Sequence, residues 1–351
     1  MMSKTSVVPA GGSVASASQA PVLEVDNLDT SLLIDGIVRP IVRGMSLTIG
    51  AGEVVGLVGE SGSGKSITAR SVIGLLPPGA VSTGSVRFLG QDTLSMSRRQ
   101  LRGIRSDQIG MIFQDPRAHI DPLWKIDDYV GEGLRLHKGL SKAQARERSR
   151  ALLESMGIAD ADRVLDCYPG QLSGGMLQRV MIAGALSCEP KLLIADEATT
   201  ALDVTVQSDI LAILRQLQDS RSLSMLFITH DLALASVICD RVVVMYAGRP
   251  MAVQAAGDLF EAPAHPYAAA LVGARPRLDQ KVERLRVVPG RPVSALEVSS
   301  GCPFRPRCTY AIAECEQMMP TLSQLAPGVL TECIRAGELR DELRESVHVS
   351  H

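Results

Sequence analysis

The sequence of 351 residues is poor in aromatic residues, which make up 3% of it and include a single tryptophan. A surface on which single-stranded nucleic-acid bases stack is therefore not expected. Lys and Arg number 36 against 38 Asp and Glu, so the net charge of −2 lacks the positive excess typical of proteins that bind nucleic-acid phosphates. The sequence predicts no nucleic-acid partner.

Long apolar segments are also lacking, and no run approaches the roughly 18 residues that would indicate a transmembrane helix. Pro, Gly and Ser interrupt residues 1–21, so this segment is predicted to be a flexible N-terminal tail and not a signal peptide. The seven cysteines are too few for a secreted disulfide scaffold. Without a signal peptide or a transmembrane segment, we expect a cytoplasmic protein. We expect it to be globular, because 46% apolar and 21% charged residues are ordinary globular values.

Short apolar segments alternate with segments rich in helix-forming residues. This alternation predicts a mainly parallel sheet covered by helices on both faces, followed by a small domain over 275–351. Asp35-Gly36 is a turn signal, and Ser141 and Gly157 are predicted to bound one helix. The predicted strands are 22–25, 41–49, 53–58, 109–113, 191–195, 224–229 and 241–246, and the predicted helices begin near 64 or cover 141–156, 205–219 and 231–239.

One glycine-rich segment, GESGSGKS at residues 59–66, lies between a predicted strand and a predicted helix. It fits the pattern G-x-x-x-x-G-K-[ST], in which glycines allow backbone N–H groups to surround phosphates. Lys65 is expected to reach the β- and γ-phosphates, and the Ser66 hydroxyl is expected to bind Mg²⁺. The segment predicts a nucleoside triphosphate site.

A second apolar segment, LLIADE, ends in Asp196 and Glu197. Asp196 is expected to hold Mg²⁺ through water, and Glu197 to polarise the attacking water. LSGG at 172–175 begins a predicted helix and also suits a γ-phosphate. Because one chain already has its phosphate loop, the LSGG segment is predicted to face a nucleotide held by another subunit.

The ordered set of segments resembles the nucleotide-binding domain of ABC-type ATPases over residues 22–260. It consists of GESGSGKS, FQDP at 113–116, LSGGM at 172–176, LLIADEATTALD at 192–203 and THD at 229–231. The resemblance implies an α/β P-loop NTPase fold of ABC type over 22–274, with a mixed sheet core and a helical subdomain at about 115–188. It further implies that two such subunits enclose two ATP molecules.

The same resemblance implies roles for individual residues. Gln114 resembles a glutamine that senses Mg²⁺, His230 a histidine that contacts the γ-phosphate, and Ala201-Leu202-Asp203 a loop at the dimer interface. Ala198 stands where a proline is common, and since Val22–Gly50 contains no aromatic residue, an aliphatic adenine contact from Val38 or Ile41 is expected. The implied catalytic residues are Lys65, Gln114, Glu197 and His230; the implied ATP-binding residues are Gly59, Glu60, Ser61, Gly62, Ser63, Gly64, Lys65, Ser66, Ile67, Gln114, Ser173, Gly174, Gly175 and Asp203; and the implied Mg²⁺ ligands are Ser66, Gln114 and Asp196.

The C-terminal part of the chain carries a narrower resemblance. AHPY at 264–267, VPG at 288–290 and GCPFRPRC at 301–308 resemble the C-terminal extension of oligopeptide/dipeptide importer ATPases. This implies an ATP-hydrolysing subunit at the cytoplasmic face of the inner membrane, with a second ABC ATPase subunit, two membrane permeases and an extracytoplasmic binding protein. Trp124 and Tyr129 are predicted to lie in a groove for a permease helix. Two alternatives remain open: the import of nickel, glutathione or another small solute, and a role as a soluble ABC ATPase outside transport.

Four cysteines cluster in the same C-terminal part of the chain: Cys302, Cys308, Cys315 and Cys333. A disulfide is not expected in a reducing compartment. Four thiolates could hold a [4Fe–4S] cluster or zinc, although the spacing lacks the C-x2-C pattern typical of zinc sites. Some members of the resembled subfamily carry an iron–sulfur cluster in this region. The sequence leaves a [4Fe–4S] cluster, zinc and free thiols open.

Overall fold

The computed structural model describes residues 20–198, 203–275, 287–298 and 300–348. Most of the predicted tail 1–21 and residues Ala201 and Leu202 therefore lie outside the described residues. The strands are β1 Leu23–Ile34, β2 Ile37–Ile49, β3 Val54–Val58, β4 Val81–Phe88, β5 Gln91–Asp92, β6 Ile109–Ile112, β7 Leu192–Asp196, β8 Ser224–Thr229, β9 Arg241–Tyr246, β10 Arg249–Ala255, β11 Ser323–Ala326 and β12 Val329–Thr331.

Helices surround these strands, together with short 3-10 turns at 93–95, 169–171, 257–260 and 305–307. No helix among the described residues is both long enough and apolar enough to cross a bilayer. The α-helices are α1 Lys65–Val72, α2 Arg98–Asp107, α3 Pro116–His119, α4 Ile126–His137, α5 Lys142–Ser155, α6 Ala161–Asp166, α7 Gly174–Leu186, α8 Val204–Arg221, α9 Leu232–Ile238, α10 Pro266–Gly273, α11 Glu314–Gln317 and α12 Arg340–His348.

The central sheet has the strand order β11-β12-β10-β9-β3-β8-β7-β6. Strands β9, β3, β8, β7 and β6 are parallel to one another, and every residue of β3, β7 and β8 is buried. Burial on both faces explains why these segments are continuously apolar, and removing that apolar surface from water stabilises the sheet. The predicted parallel core is confirmed.

The mixed sheet implied by the resemblance is confirmed, but the individual antiparallel strands β4, β5, β10, β11 and β12 were not predicted. A second sheet, β2-β1-β4-β5, is antiparallel, and β10, β12 and β11 extend the central sheet in antiparallel fashion. The predicted turn at Asp35-Gly36 is confirmed, with φ of 52° and 74°. The prediction of strands as short as 22–25 and 41–49 was wrong in extent, since cross-strand pairing continues from Leu23 to Ile34.

The helical layer between β6 and β7 follows local sequence signals. Ser141 accepts a hydrogen bond from Gln144 N, and the Gln144 side chain returns to the Ser141 backbone, which forms a capping box at the start of α5. Gly157 follows the helix with a φ of 75°, a conformation that favours glycine. The predicted helix over 141–156 is confirmed to within one residue at each end.

This topology determines where polar side chains meet. Strands β3, β8 and β7 are neighbours and parallel, so their carboxyl ends lie side by side at one edge of the sheet. The segments that follow them begin with Gly59, His230 and Glu197, and Asp196 is the last residue of β7. Ligands bind at such an edge in open α/β sheets.

Close packing of β6 on α7 generates a stability prediction. A Cβ at Gly110 would collide with the backbone carbonyl oxygen of Ala185, whereas a Cβ at Gly103 in α2 would meet nothing within 4 Å. Gly110→Ala should therefore lower the free energy of unfolding by about 1–3 kcal/mol or more. Gly103→Ala should leave it unchanged or raise it by up to ~1 kcal/mol. Denaturant unfolding of the two variants tests this, and equal stabilities would contradict the packing argument.

Candidate functional site

The loop 59–64 turns sharply between β3 and α1. Gly59, Gly62 and Gly64 have φ of 153°, 78° and 104°, values that residues with a Cβ rarely adopt. A Cβ at Gly59 would also collide with the carbonyl oxygen of Met245. The glycines of the predicted phosphate loop are therefore required by the local backbone, and the loop delivers the chain to the N-terminus of α1.

The Lys65 ammonium is folded back into this loop. Its side chain is buried, and Nζ donates hydrogen bonds of 2.9 Å to the carbonyl oxygens of Gly59 and Glu60. Burial lowers the pKa of Lys65, while the carboxylates of Glu197, Asp196 and Glu60 oppose that shift. The cation therefore lies in the curve of the loop, where it can attract an anion.

One group of the loop has no protein partner. Ser63 is buried, and its Oγ lacks a hydrogen-bond partner among the described residues. A buried hydroxyl without a partner is costly, and a ligand oxygen would remove that cost. Together with Lys65 and the N-terminus of α1, this hydroxyl fits a phosphate group.

Ser66 and Asp196 are adjacent although 130 residues separate them. The Ser66 hydroxyl donates a hydrogen bond of 2.9 Å to Asp196 Oδ1. Burial raises the pKa of Asp196, and the hydrogen bond from Ser66 opposes the shift. Hydroxyl and carboxylate oxygens are hard donors of the type that Mg²⁺ prefers, so these two side chains fit the predicted magnesium ion.

Glu197 lies between Gln114 and His230, the other two residues that the resemblance placed beside the γ-phosphate and Mg²⁺. Gln114 Nε2 donates a hydrogen bond of 2.9 Å to Glu197 Oε2, and His230 Nδ1 lies 3.6 Å from Glu197 Oε1. Glu197 has a φ of 48°, and its N–H donates to the Ile228 carbonyl oxygen at 3.0 Å. The structure thus brings together the side chains predicted to be catalytic, at the edge next to the phosphate loop.

The LSGG segment and Asp203 are helix caps in this chain. Ser173 Oγ accepts a hydrogen bond from Met176 N at 3.3 Å at the start of α7, and Asp203 Oδ1 accepts one from Val206 N at 2.9 Å at the start of α8. Ser173, Gly174 and Asp203 are exposed. Their predicted contact with a nucleotide of another subunit stays a prediction.

The residues predicted to contact adenine and those predicted to line a permease groove do not lie together in the structure. Val38 is 58% exposed on the β1–β2 hairpin, whereas Ile41 packs at the core and its carbonyl oxygen lies beside Gly64. Tyr129 is one of the residues that line an open groove of about 380 Å³ between β6 and α4, and Trp124 is not among them. The adenine and permease contacts stay predictions.

Sequence reasoning missed two buried polar contacts. Gln178 Nε2 donates a hydrogen bond of 2.6 Å to the Ala198 carbonyl oxygen and so joins α7 to the segment after Glu197. Glu60 forms an ion pair with Arg307, with 2.6 Å between Oε2 and Nη1. Each contact joins residues from different segments of the chain, 20 and 247 residues apart, so no pattern within a single segment indicated it.

The four clustered cysteines line one small pocket together with His265. Burial raises the pKa of Cys302 to about 12 and that of Cys308 to about 11. No group of three or more His, Cys, Asp or Glu residues in the described part of the chain is arranged to hold a metal ion. The predicted [4Fe–4S] or zinc site is therefore not supported.

Comparison with known proteins gives the site its context. A family model for ABC transporters matches residues 42–200, and one for the C-terminal region of oligopeptide/dipeptide transporters matches residues 253–315. The chain is 44% identical to the oligopeptide transport ATP-binding protein OppD of Salmonella typhimurium, over 92% of this chain and 97% of that protein. It is 45% identical to OppD of Escherichia coli, over 85% and 88% of the two chains.

Solved structures of ABC transporter cassettes also match this chain. The dimeric ABC transporter cassette MJ0796 matches with a TM-score of 0.60 at 27% identity, over 67% of this chain and 98% of that chain. The same cassette in a post-hydrolysis state with ADP and Pi matches with a TM-score of 0.61. The chain belongs to the family of ABC transporter ATP-binding proteins. It is an ATPase with the α/β P-loop fold that its motifs predicted.

The position of Lys65 generates a binding prediction. Lys65→Ala should weaken ATP binding by roughly 10- to 100-fold, because charge-assisted hydrogen bonds contribute about 1.5–3 kcal/mol. Lys191→Ala, which removes an exposed lysine just before the other end of β7, is the control and should leave the affinity unchanged. The Kd for a fluorescent ATP analogue measures both. Wild-type affinity of Lys65→Ala would remove the lysine from the nucleotide site.

Proposed function

We propose that this chain hydrolyses ATP to drive the import of dipeptides and oligopeptides, acting at the cytoplasmic face of the inner membrane. The observation that carries the proposal is the meeting of Lys65, Asp196, Glu197 and His230 at the carboxyl ends of β3, β7 and β8. The peptide cargo is supported by the relatives described as oligopeptide transport proteins and by the match over residues 253–315.

The loop 59–66 binds the triphosphate in this proposal. Lys65 offsets the charge of the β- and γ-phosphates, and Ser63 supplies a hydroxyl to the same groups. Ser66 and Asp196 would hold Mg²⁺ with Gln114, and the bound ion would neutralise phosphate charge during the transfer. Support comes from the buried ammonium, the hydroxyl without a partner and the hydrogen bond of 2.9 Å between Ser66 and Asp196.

Glu197 acts on the attacking water. Its carboxylate accepts a hydrogen bond from the water and orients the lone pair of the water oxygen toward the γ-phosphorus, which is the positioning that phosphoryl transfer requires. Gln114 fixes one carboxylate oxygen through its hydrogen bond of 2.9 Å. His230, next to the other oxygen, contacts the γ-phosphate and stabilises the charge on its oxygens.

A second ATPase subunit completes each site. Ser173, Gly174 and Gly175 of one subunit would contact the γ-phosphate held by the loop of the other, with Asp203 at the interface. The exposure of Ser173 and Gly174 at the start of α7 supports this arrangement, as does the dimeric cassette MJ0796. Two membrane permeases and an extracytoplasmic binding protein would complete the importer.

Glu197→Gln keeps the size and the hydrogen-bonding capacity of the side chain but removes its charge. ATP hydrolysis should fall by about 100-fold or more, while ATP affinity stays within about threefold, because the loss affects water activation only. Glu261→Gln, the same change at an exposed position, is the control. Phosphate release and nucleotide titration give the two quantities. Turnover close to that of the wild type would exclude Glu197 from the reaction.

The cargo is tested in cells of the source organism that lack this gene. We expect loss of uptake of a labelled tripeptide, restored by the wild-type gene and not by the Glu197→Gln variant. Uptake of labelled glutathione and of nickel is measured in the same strains. Normal peptide uptake with loss of either alternative cargo would replace the peptide proposal by that solute, and loss of none would favour a role outside import.

A further inference from the structure

Arg307 comes from the C-terminal region, yet its guanidinium reaches the phosphate loop. Its side chain is only 3% exposed and faces the carboxylate of Glu60 fork to fork. Nη1 donates to Oε2 at 2.6 Å and Nη2 donates to Oε1 at 3.1 Å. Paired hydrogen bonds of this kind fix both the distance and the plane of the two groups.

The remaining donors of Arg307 are also occupied. Nε donates to the Pro289 carbonyl oxygen at 2.8 Å, Nη1 also donates to Tyr246 Oη at 3.3 Å, and Nη2 also donates to the Val288 carbonyl oxygen at 3.5 Å. A guanidinium has five N–H donors, and each has an acceptor here. Arg307 is therefore held by Val288 and Pro289 of its own region and by Tyr246 of β9, in addition to its contact with the loop.

Glu60 is bound at its backbone as well. Its N–H donates to Tyr267 Oη at 3.1 Å, and its carbonyl oxygen accepts the hydrogen bond of 2.9 Å from Lys65 Nζ. One residue of the loop thus contacts Arg307, Tyr267 and Lys65 at the same time. Any displacement of Glu60 would be transmitted to the carbonyl group that holds the lysine.

The charge of Glu60 explains why such a contact is needed. A carboxylate in a phosphate-binding loop repels a triphosphate, and this one is three-quarters buried, where water screens it poorly. The cation of Arg307 offsets that charge. Without it, the carboxylate would either repel the nucleotide or draw Lys65 toward itself.

We propose that Arg307 is a positioning residue of the nucleotide site, which neutralises Glu60 and fixes the entrance of the phosphate loop. The C-terminal extension is then part of the ATP-binding machinery and not only an appended domain. This inference rests on the proposed role of the loop 59–66 in binding ATP.

The test uses the full-length chain and titration with a fluorescent ATP analogue. Arg307→Ala should raise the Kd at least about tenfold and raise the KM for ATP with it, while kcat at saturating ATP stays within about threefold. Arg305→Ala, in the same 3-10 turn but paired with Glu316 at the surface, is the matched control and should keep the wild-type Kd.

A second substitution separates positioning from mere folding of the extension. In the double variant Arg307→Ala/Glu60→Gln the repelling charge is gone, so the Kd should return to within about threefold of that of Glu60→Gln alone. A double variant as weak as Arg307→Ala would show that charge neutralisation is not the cause, and would overturn the proposal.

Circular dichroism and thermal unfolding verify that each variant is folded. If Arg307→Ala does not fold, Arg307→Lys replaces it, because a lysine keeps the charge but cannot form the paired contact. It should raise the Kd about threefold or more, and an unchanged Kd would contradict the proposal. If Arg307→Ala binds ATP normally while Lys65→Ala does not, only this inference fails; if both bind normally, the ATP-site assignment itself fails.

Discussion

Parallel pairing of β3, β8 and β7 is the constraint on which the site depends. Strands that run side by side in one direction end side by side, so residues far apart in the chain arrive at one edge. The pairing is stabilised by burial of these strands, whose residues are all buried and mostly apolar. The glycines of the phosphate loop then need only to turn the backbone around the space where a phosphate fits.

The C-terminal region is built into this core and does not merely follow it. Strand β12 pairs with β10, and Arg249 forms a buried ion pair with Glu332 at 2.7 Å. Tyr246 and Tyr267 pack on Phe304 with ring centroids 5.5 Å and 5.1 Å away, beneath the contact between Arg307 and Glu60. Breaking the ion pair of Arg249 with Glu332, or that of Arg307 with Glu60, would leave a buried charge without its partner, which is strongly unfavourable.

The sequence predicted those parts of the molecule that are encoded within one segment. Burial on both faces makes β3, β7 and β8 continuously apolar, and the capping box at Ser141 is complete within four residues, so these elements could be recognised. Strand β4 could not, because it lies in a half-exposed sheet and has no apolar run.

In the candidate site, too, residues encoded within one segment were predicted, whereas contacts between distant segments were not. Lys65, Asp196 and Glu197 follow from strand–loop patterns, whereas Gln114 and His230 were assigned by resemblance and then found beside Glu197. The ion pair of Arg307 with Glu60 spans 247 residues, and no periodicity or spacing encodes a contact of that range. The metal prediction at the cysteines failed to gain support because spacing in the chain does not determine how buried thiols are arranged in space.

The hydrogen bond from Gln178 to the Ala198 carbonyl oxygen has a consequence for how two bound nucleotides influence each other. Gln178 lies on the helix that begins with Ser173 and Gly174, and Ala198 follows Glu197 directly. In a pair of subunits, the first segment would serve the partner's nucleotide and the second would serve the chain's own. In such a pair, this hydrogen bond would link the two nucleotide sites through one polypeptide, so that a change at one site could be transmitted to the other through α7.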